Sequence, residues 1–419
     1  MSNNSSSTAH LGNIIQPRNN SLGLNLPQRQ AFTVPSNLCS EIVIIPSTST
    51  PSWGSYFIFD VKERNCLISD LVLNFNVGTI GNLTGTATNY PNYSPACFWT
   101  TKIELVVNNV TVDTLYPVSN FVSQQFFNHD EDRVYINNMQ GSYNSLAQRN
   151  TLATSSTSNY YVKLRTVYNE CHIPILSDSH NLQIRVYMDQ VANVVVLPAS
   201  GITGTPTSTI NNANIICKVL KLPSDVATNR LAAMIKKPEQ SIYHNLRYSP
   251  FAVSSGVSSS TIVLTPFVGN IAALFFVIRT ASKLTKGDAF LFTALTNFAL
   301  LDSTSSNCVG GQAIPSFLAL NYLNQFYSKS SYTSETSVGA NVAGTVTDNS
   351  ANVYGWSFSS NICEALENGL LLGHRKFLGN EQLQLTYTGS LAANIQVDVW
   401  AFCQSVFEQG GSYVKVMAL

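Results

Sequence analysis

The residues of this 419-residue chain best suited to chemistry are six histidines, eight cysteines and one dense run of charge. The charge run is "HDEDR", His129 to Arg133. Its carboxylates, Asp130, Glu131 and Asp132, are of the type that binds Ca²⁺, but they are contiguous. A helix-loop-helix calcium site alternates its ligands around a central glycine, so the run reads as a solvated loop. The histidines stand at 10, 129, 172, 180, 244 and 374, and no two share the spacing that sets a pair of ligands on one helix face. The cysteines, at 39, 66, 97, 171, 217, 308, 363 and 403, are scattered singly with no C-x-x-C pair, a spacing that fits neither a zinc site nor a thioredoxin motif. Cys217 in "NIICKVLKL" and Cys403 in "VWAFCQSVF" lie within apolar runs, where a free thiol is a small hydrophobe. The set reads as mostly reduced, with the even count leaving disulfide pairing open. "KGD" at 286–288 reads as an ordinary turn. The common nucleotide-binding, zinc-protease and serine-hydrolase motifs are missing from the sequence. No residue is therefore put forward as catalytic, cofactor-binding or metal-ligating.

Charge excludes further classes. Lys plus Arg and Asp plus Glu number 23 each, so the formal charge is zero and nothing advertises direct sequence-specific nucleic-acid binding. Arg165, Arg185, Arg230, Arg279 and Arg375 are dispersed rather than interleaved with exposed aromatics. Only 11% of residues are charged, against about 25% in an average soluble domain, and Ser, Thr and Asn fill the deficit. Such a surface repels its neighbours weakly and suits packing against copies of itself; it is also what a β-rich chain carries in any case. The first twenty residues show no basic start and no apolar run of signal-peptide length, so export is not expected. "NIAALFFVIRTASK" reaches about nine apolar residues before Arg279, where a membrane helix needs about twenty, and reads as a buried strand.

The elements around these residues are strands. "YFIFDV" (56–61), "LISDLVLNFNV" (67–77), "KIELVVNNVTV" (102–112) and "YYVKLRTVY" (160–168) are rich in aromatic and β-branched residues and are separated by turn residues. "SHNLQIRVYM" sets Leu182, Ile184, Val186 and Met188 on one face, opposite Gln183, Arg185 and Tyr187. The later "NEQLQLTYTG" sets Leu383, Leu385 and Tyr387 opposite Gln384 and Thr386. This echo belongs to an ordered series. Ile68 and Leu71 recur as Ile271 and Leu274, "SQQFFN" around Phe126 recurs as "LNQFYS" around Phe326, and "ANIICKV" from Ala213 recurs as "ANIQVDV" from Ala393. Only the last pair slips in spacing, because "LPASGITGTPTSTINN" (197–212) adds a loop to the first copy. The series indicates a tandem duplication of a β unit of roughly 180 to 200 residues, too long for a solenoid repeat.

Between the copies, "KLPSDVATNRLAAMIKKPEQ" carries Pro223 and Pro238 at its ends, Ser224 as expected N-cap, Asp225 in the first turn and Lys236 with Lys237 in the last. One linker helix of about twelve residues follows. Each copy also inserts an aromatic, helix-like piece, "PVSNFVSQQFFN" (117–128) and "IPSFLALNYLNQFY" (314–327), with Pro117 and Pro315 where helices prefer proline.

Two β units, each with an aromatic helix before its closing strands, joined by a short helix and preceded by a polar arm, resemble the double jelly-roll major capsid proteins of double-stranded DNA viruses, in the form found in virophages, polinton-like viruses and nucleocytoplasmic large DNA viruses. The resemblance is carried most by "YYVKLRTVYNECHIPILSDSHNLQIRVYMD" (160–189) and "GHRKFLGNEQLQLTYTGSLAANIQVDVWAFC" (373–403). It implies an all-β fold: two tandem eight-stranded antiparallel jelly-roll β-sandwiches with short inserted helices and a linker helix. The implied divisions are a flexible arm over 1–34, a first jelly roll over 35–222, the linker helix over 223–238, a second jelly roll over 239–407 and a tail over 408–419. It implies a non-enzymatic, cofactor-free structural protein of the virion, made in the host cytoplasm or nucleus. Homotrimers of pseudo-hexagonal outline would tile an icosahedral shell, contacting neighbouring capsomers, penton proteins and minor capsid or cement proteins. A strand is then written twice because two barrels per chain turn a threefold assembly into a sixfold tile. The rival expectations are a tandem β-sandwich carbohydrate-binding or attachment protein, and a β-sandwich glycosidase. Trp53, Trp99, Trp356 and Trp400 are too widely spaced in sequence to favour the first.

Overall fold

The computed structural model describes residues 39–85, 92–126, 135–136, 138–141, 158–168, 173–176, 180–197, 202–284, 292–293, 295–301, 314–315, 341–342, 345–346, 353–358 and 373–418. Eight strands build a first barrel: β1 (Cys39–Pro46), β2 (Tyr56–Val61), β3 (Cys66–Val77), β4 (Thr100–Val107), β5 (Val110–Leu115), β6 (Ser158–Leu164), β7 (Leu182–Met188) and β8 (Ile210–Lys221). Among the described residues eight more form the framework of a second: β9 (Glu239–Val253), β10 (Ser259–Val263), β11 (Val268–Thr280), β12 (Asn297–Leu301), β13 (Ile314–Pro315), β14 (Val353–Ser357), β15 (Gln382–Thr386) and β16 (Ile395–Gln409), with a further short strand, Arg375–Leu378, paired to the start of β11. The first barrel pairs them as β1-β8-β3-β6 and β2-β7-β4-β5, and the second as β9-β16-β11-β14 and β10-β15-β12-β13, with every pairing antiparallel. Adding eight to each strand of the first barrel gives the second. Most connections cross from one sheet to the other, which is jelly-roll topology. Three of the four sequence echoes fall on corresponding strands: β7 with β15, β3 with β11, and β8 with β16.

Local chemistry accounts for these strands. β7 alternates buried Leu182, Ile184, Val186 and Met188 with half-buried Gln183, Arg185 and Tyr187, as a strand with one core face must. The run 102–112, expected as one strand, is a hairpin. Asn108 and Asn109 both take left-handed backbone, φ +50° and +65°, the conformation a two-residue turn of this hand requires and asparagine tolerates best among residues with a side chain.

Strands β11 and β16 break the alternation, because their sheet is covered on both sides. On one face Leu274, Phe276, Ile278, Val397, Val399 and Ala401 join Phe298, Leu383 and Leu385 in the interior of the second barrel. On the other, Phe275, Val277, Trp400 and Phe402 belong to the hydrophobic core of the first. The stretch expected as a buried strand from "NIAALFFVI" is β11. Gly355 on neighbouring β14 is constrained by the same crowding: a Cβ there would lie 2.4 Å from the Leu274 carbonyl oxygen and 2.8 Å from Cδ1 of Phe275.

Two helices frame the barrels. Helix α1 (Pro117–Phe126) places Phe121 against Phe98, and α2 (Ser224–Lys236) packs Ala227 and Met234 on Leu67, Leu176 and Leu222. The expected cap of α2 is displaced by one residue: Pro223 is the N-cap, no side chain caps the end, and Ser224 is the first helical residue. Asp225 and Lys236 do complement the helix dipole at its two ends. Arg230 then anchors α2 to the start of β9 through two hydrogen bonds to Glu239, of 2.7 and 2.9 Å.

Three other expectations change. Ile314 and Pro315 pair with β12 as strand β13, so they do not start a helix; residues 316–327 of that proposed helix lie outside the described residues. Residues 408–419 are not a free tail, since β16 continues to Gln409 and Val414–Ala418 turns back to pair with its Ser405–Gln409 end. The added loop 197–212 is partly a ribbon, in which Thr203 and Thr207 bridge to Thr84 and Gly81 beyond the end of the β3–β8 pairing. The arm, residues 1–34, lies outside the described residues.

Ile184 and Val397 are 1% and 0% exposed on the inner faces of their barrels. Aspartate at either position buries an unpaired carboxylate, and the expected cost of roughly 4 kcal/mol or more is a large part of a domain's stability. Both variants are expected to be lost from the soluble fraction or to unfold at markedly lower denaturant; wild-type midpoints would contradict the strand assignments.

Candidate assembly interface

The surface with the most elaborate chemistry is the joint between the barrels. Tyr243 on β9 reaches across and donates its hydroxyl hydrogen to the carbonyl of Val112 on β5, 3.1 Å away. Phe407 on β16 packs between Tyr243 and Tyr168, with ring centroids 6.4 and 5.7 Å away and near-perpendicular planes, the edge-to-face geometry that aromatic quadrupoles favour. Tyr116 meets Tyr248 with ring centroids 4.4 Å apart and planes tilted by 32°, Phe121 of α1 meets Phe292, and the Arg165 guanidinium lies over the Phe402 ring. Several polar groups of the joint are paired, although the Trp400 indole N–H is not. The Tyr168 hydroxyl donates to Oε1 of Gln409, whose Nε2 donates to the Pro174 carbonyl. Asn108, one residue of the β4–β5 turn, donates to the carbonyl of Ser412, and His180 Nε2 lies 2.8 Å from the carbonyl of Gly410. The chain beyond β16 is thus gripped by the first barrel.

Asp398 sits on β16 with no exposed surface. Its Oδ2 accepts from Nε of Arg279 at 2.5 Å, and its Oδ1 accepts from the Tyr248 hydroxyl at 2.5 Å and from Nε2 of Gln396 at 2.6 Å. Burial and the adjacent Asp398 charge push the Tyr248 hydroxyl far above the usual tyrosine range, so Tyr248 stays a donor. A carboxylate buried this deeply is tolerated only with such a full set of donors. Arg279 also lines a cavity of about 250 Å³ with Thr100, Tyr116, Asp189, Asn193 and Tyr248, contributed by both barrels.

The residues that opened the sequence reading lie apart from one another. His180 and His244 are buried at separate places, His374 is exposed, and His10, His129, His172, the acidic run 129–133 and the 286–288 tripeptide fall outside the described residues. Among the described residues no cluster of His, Cys, Asp or Glu has the geometry of a metal site. Cys66, Cys97, Cys217 and Cys403 are buried free thiols; burial pushes Cys217 and Cys403 up to about 12, which keeps them protonated, and Cys39 is exposed. Trp99, Trp356 and Trp400 are buried, and Trp53 packs on Tyr93 and Trp99, so the tryptophans do not form the open aromatic platform of a glycan binder. The joint itself went unrecognised in the sequence. Its signal was the loss of alternation in β11 and β16.

Burial holds the His180 pKa below its usual 6.5 and outweighs the contacts with the Gly410 and Tyr413 backbone that favour the charged form. The unfolded chain therefore binds a proton at this residue before the folded chain does, and stability falls as pH drops below about 6.5. His180→Gln, which retains a donor, is expected to flatten that part of a pH–stability curve measured between pH 7 and 5. An unchanged slope would show that His180 does not titrate in the joint.

No protein-family model and no curated protein sequence matches the chain. Solved structures do. VP54 of PBCV-1, fitted into a reconstruction of the virophage Sputnik, is similar with a TM-score of 0.67 at 15% identity, over 92% of this chain and 98% of that one. The Faustovirus major capsid protein gives 0.65 at 10% identity over 95% and 93%, and the mavirus major capsid protein 0.51 at 10% identity over 95% and 94%. Coverage of more than nine-tenths on both sides means that both barrels are matched, and the chain has the double jelly-roll fold of these proteins.

Proposed function

We propose that this chain is a structural major capsid protein and not an enzyme. The observation that carries the reading is end-to-end similarity of a two-barrel fold to proteins described as major capsid proteins of Faustovirus and mavirus and as components of PBCV-1 and Sputnik virions. Fold alone permits many functions, but a site-bearing protein places its chemistry in an open cleft, whereas here Tyr168, Gln409, Tyr248, Asp398 and Arg279 are engaged with one another or with backbone. The low charge of the chain, 11% of residues, fits a subunit that packs against its own copies.

In this reading three chains form a capsomer of six barrels, capsomers tile an icosahedral shell, and penton and minor capsid or cement proteins complete it. The chain is located in the virion after synthesis in the host cytoplasm or nucleus. The first 34 residues form an arm on the inner side of the shell and are not needed for the trimer.

Light scattering behind a sizing column tests the oligomer. The expected mass is about three times the 45.7 kDa chain, and a monomer at micromolar concentration would overturn the reading. Removing residues 1–25 is expected to leave three chains per particle while impairing assembly of closed shells; dissociation of the truncated protein would show that the arm holds the trimer together.

A further inference from the structure

The joint inside the chain is directional. The sheet β9-β16-β11-β14 of the second barrel presents its outer face, with Tyr248, Trp400, Phe402 and Phe275, to the flank of the first, at Tyr116 between β5 and α1 and at Arg165 after β6. Across that face the register aligns Tyr248, Trp400 and Phe275 in one row and Leu246, Phe402 and Ala273 in the next. The first barrel has the same sheet, β1-β8-β3-β6, and among the described residues α2 packs on the Leu67–Leu220 end of its outer face while no barrel covers the rest. There the register aligns Ile44, Ile216 and Val72 in one row, with Ile42, Lys218 and Asp70 beside it. Ile42 is 71% and Ile44 63% exposed, and Ile42 is the most exposed large apolar side chain among the described residues. Lys218, Lys163 and Asp70 border the row, giving an apolar strip with a charged margin of both signs.

A face-to-flank contact between unlike surfaces is heterologous, and repeating it from barrel to barrel generates a ring when the rotation closes. One of every two such contacts in a ring of these chains is the joint already described. The other must use the outer face of the first barrel. We propose that Ile42, Ile44, Ile216 and Val72 form the contact by which the first barrel of one copy docks on the second barrel of the next. The inference rests on the trimer proposed above and names the surface that makes it. Apolar side chains with a polar margin are the composition expected at the centre of a subunit interface.

The test uses the full chain with Ile42→Asp and Ile44→Asp, sites exposed enough that folding of the single chain does not depend on them, and Leu378→Asp, 61% exposed on the second barrel, as control. The expected result by light scattering is a single-chain mass with cooperative thermal unfolding for both isoleucine variants, and a three-chain mass for wild type and Leu378→Asp. A second readout avoids introducing charge: Ile44→Cys is expected to react with a maleimide at least tenfold more slowly than Leu378→Cys in the assembled protein. A single-chain wild type would overturn the trimer and this inference together. A three-chain wild type with a three-chain Ile44→Asp and freely reactive Ile44→Cys would overturn only the placement of the contact; the face is then bare. A three-chain Ile44→Asp with slow Ile44→Cys would overturn it in favour of cover by residues 1–38 of the same chain. Dissociation of Leu378→Asp as well would overturn it by showing that the effect is not specific to this face.

Discussion

The double-sided burial of the sheet β9-β16-β11-β14 is the constraint on which the rest of the molecule depends. Trp400, Phe275, Phe402, Phe407 and Tyr243 leave water only because the first barrel stands against them. A fully buried aromatic or large aliphatic side chain contributes roughly 1.5–3 kcal/mol, so this set is worth on the order of 10 kcal/mol, comparable with the whole net stability of a typical domain. Two barrels that share such a face are one body. Separating them would expose a continuous aromatic surface, which a soluble protein rarely tolerates.

The polar groups of the joint set its geometry. Tyr168, Gln409 and Pro174 form a chain of hydrogen bonds from one barrel to the other, and His180 and Asn108 hold the carbonyls of Gly410 and Ser412. Each bond forms only at one relative placement of the barrels, so together they fix an orientation that apolar packing alone would leave loose. Asp398 plays the corresponding part within the second barrel's sheet. Its ion pair with Arg279 is fully buried, and removing either partner would strand a charge.

How far the sequence discloses this depends on what each strand faces. Strands with one solvent face, such as β7 and β15, announce themselves by alternation, and their echo discloses the duplication. Strands β11 and β16 hide their role because burial on both faces removes the period-two signal and leaves a run that a buried helix would also produce. Asn108 and Asn109 concealed a hairpin inside an apparent single strand, although paired asparagines are a turn signal when read for backbone rather than hydrophobicity. Pro315 was misleading for the opposite reason, since proline suits both a helix start and a strand edge. The last residues read as a tail because "EQGGSYVKVMAL" is short and carries paired glycines at 410 and 411, yet Gly410 is where a Cβ would strike the Tyr413 ring at 2.4 Å, and the tight return it permits lets Val414–Ala418 pair. The joint is long-range: lost alternation marks β11 and β16 as buried on both faces but does not say what covers them.

A chain with an internal joint of this kind has half of a ring's contacts already made. Its low charge and its exposed isoleucine row leave the other half to copies of itself. Single-particle electron microscopy of the purified protein tests this most directly. The account predicts a closed particle of three chains in which six barrels stand side by side in a pseudo-hexagonal ring, each second barrel sealed against the first barrel of its own chain through Trp400 and Phe402. Particles containing a single chain, or chains whose two barrels sit apart with that aromatic face open, would contradict it.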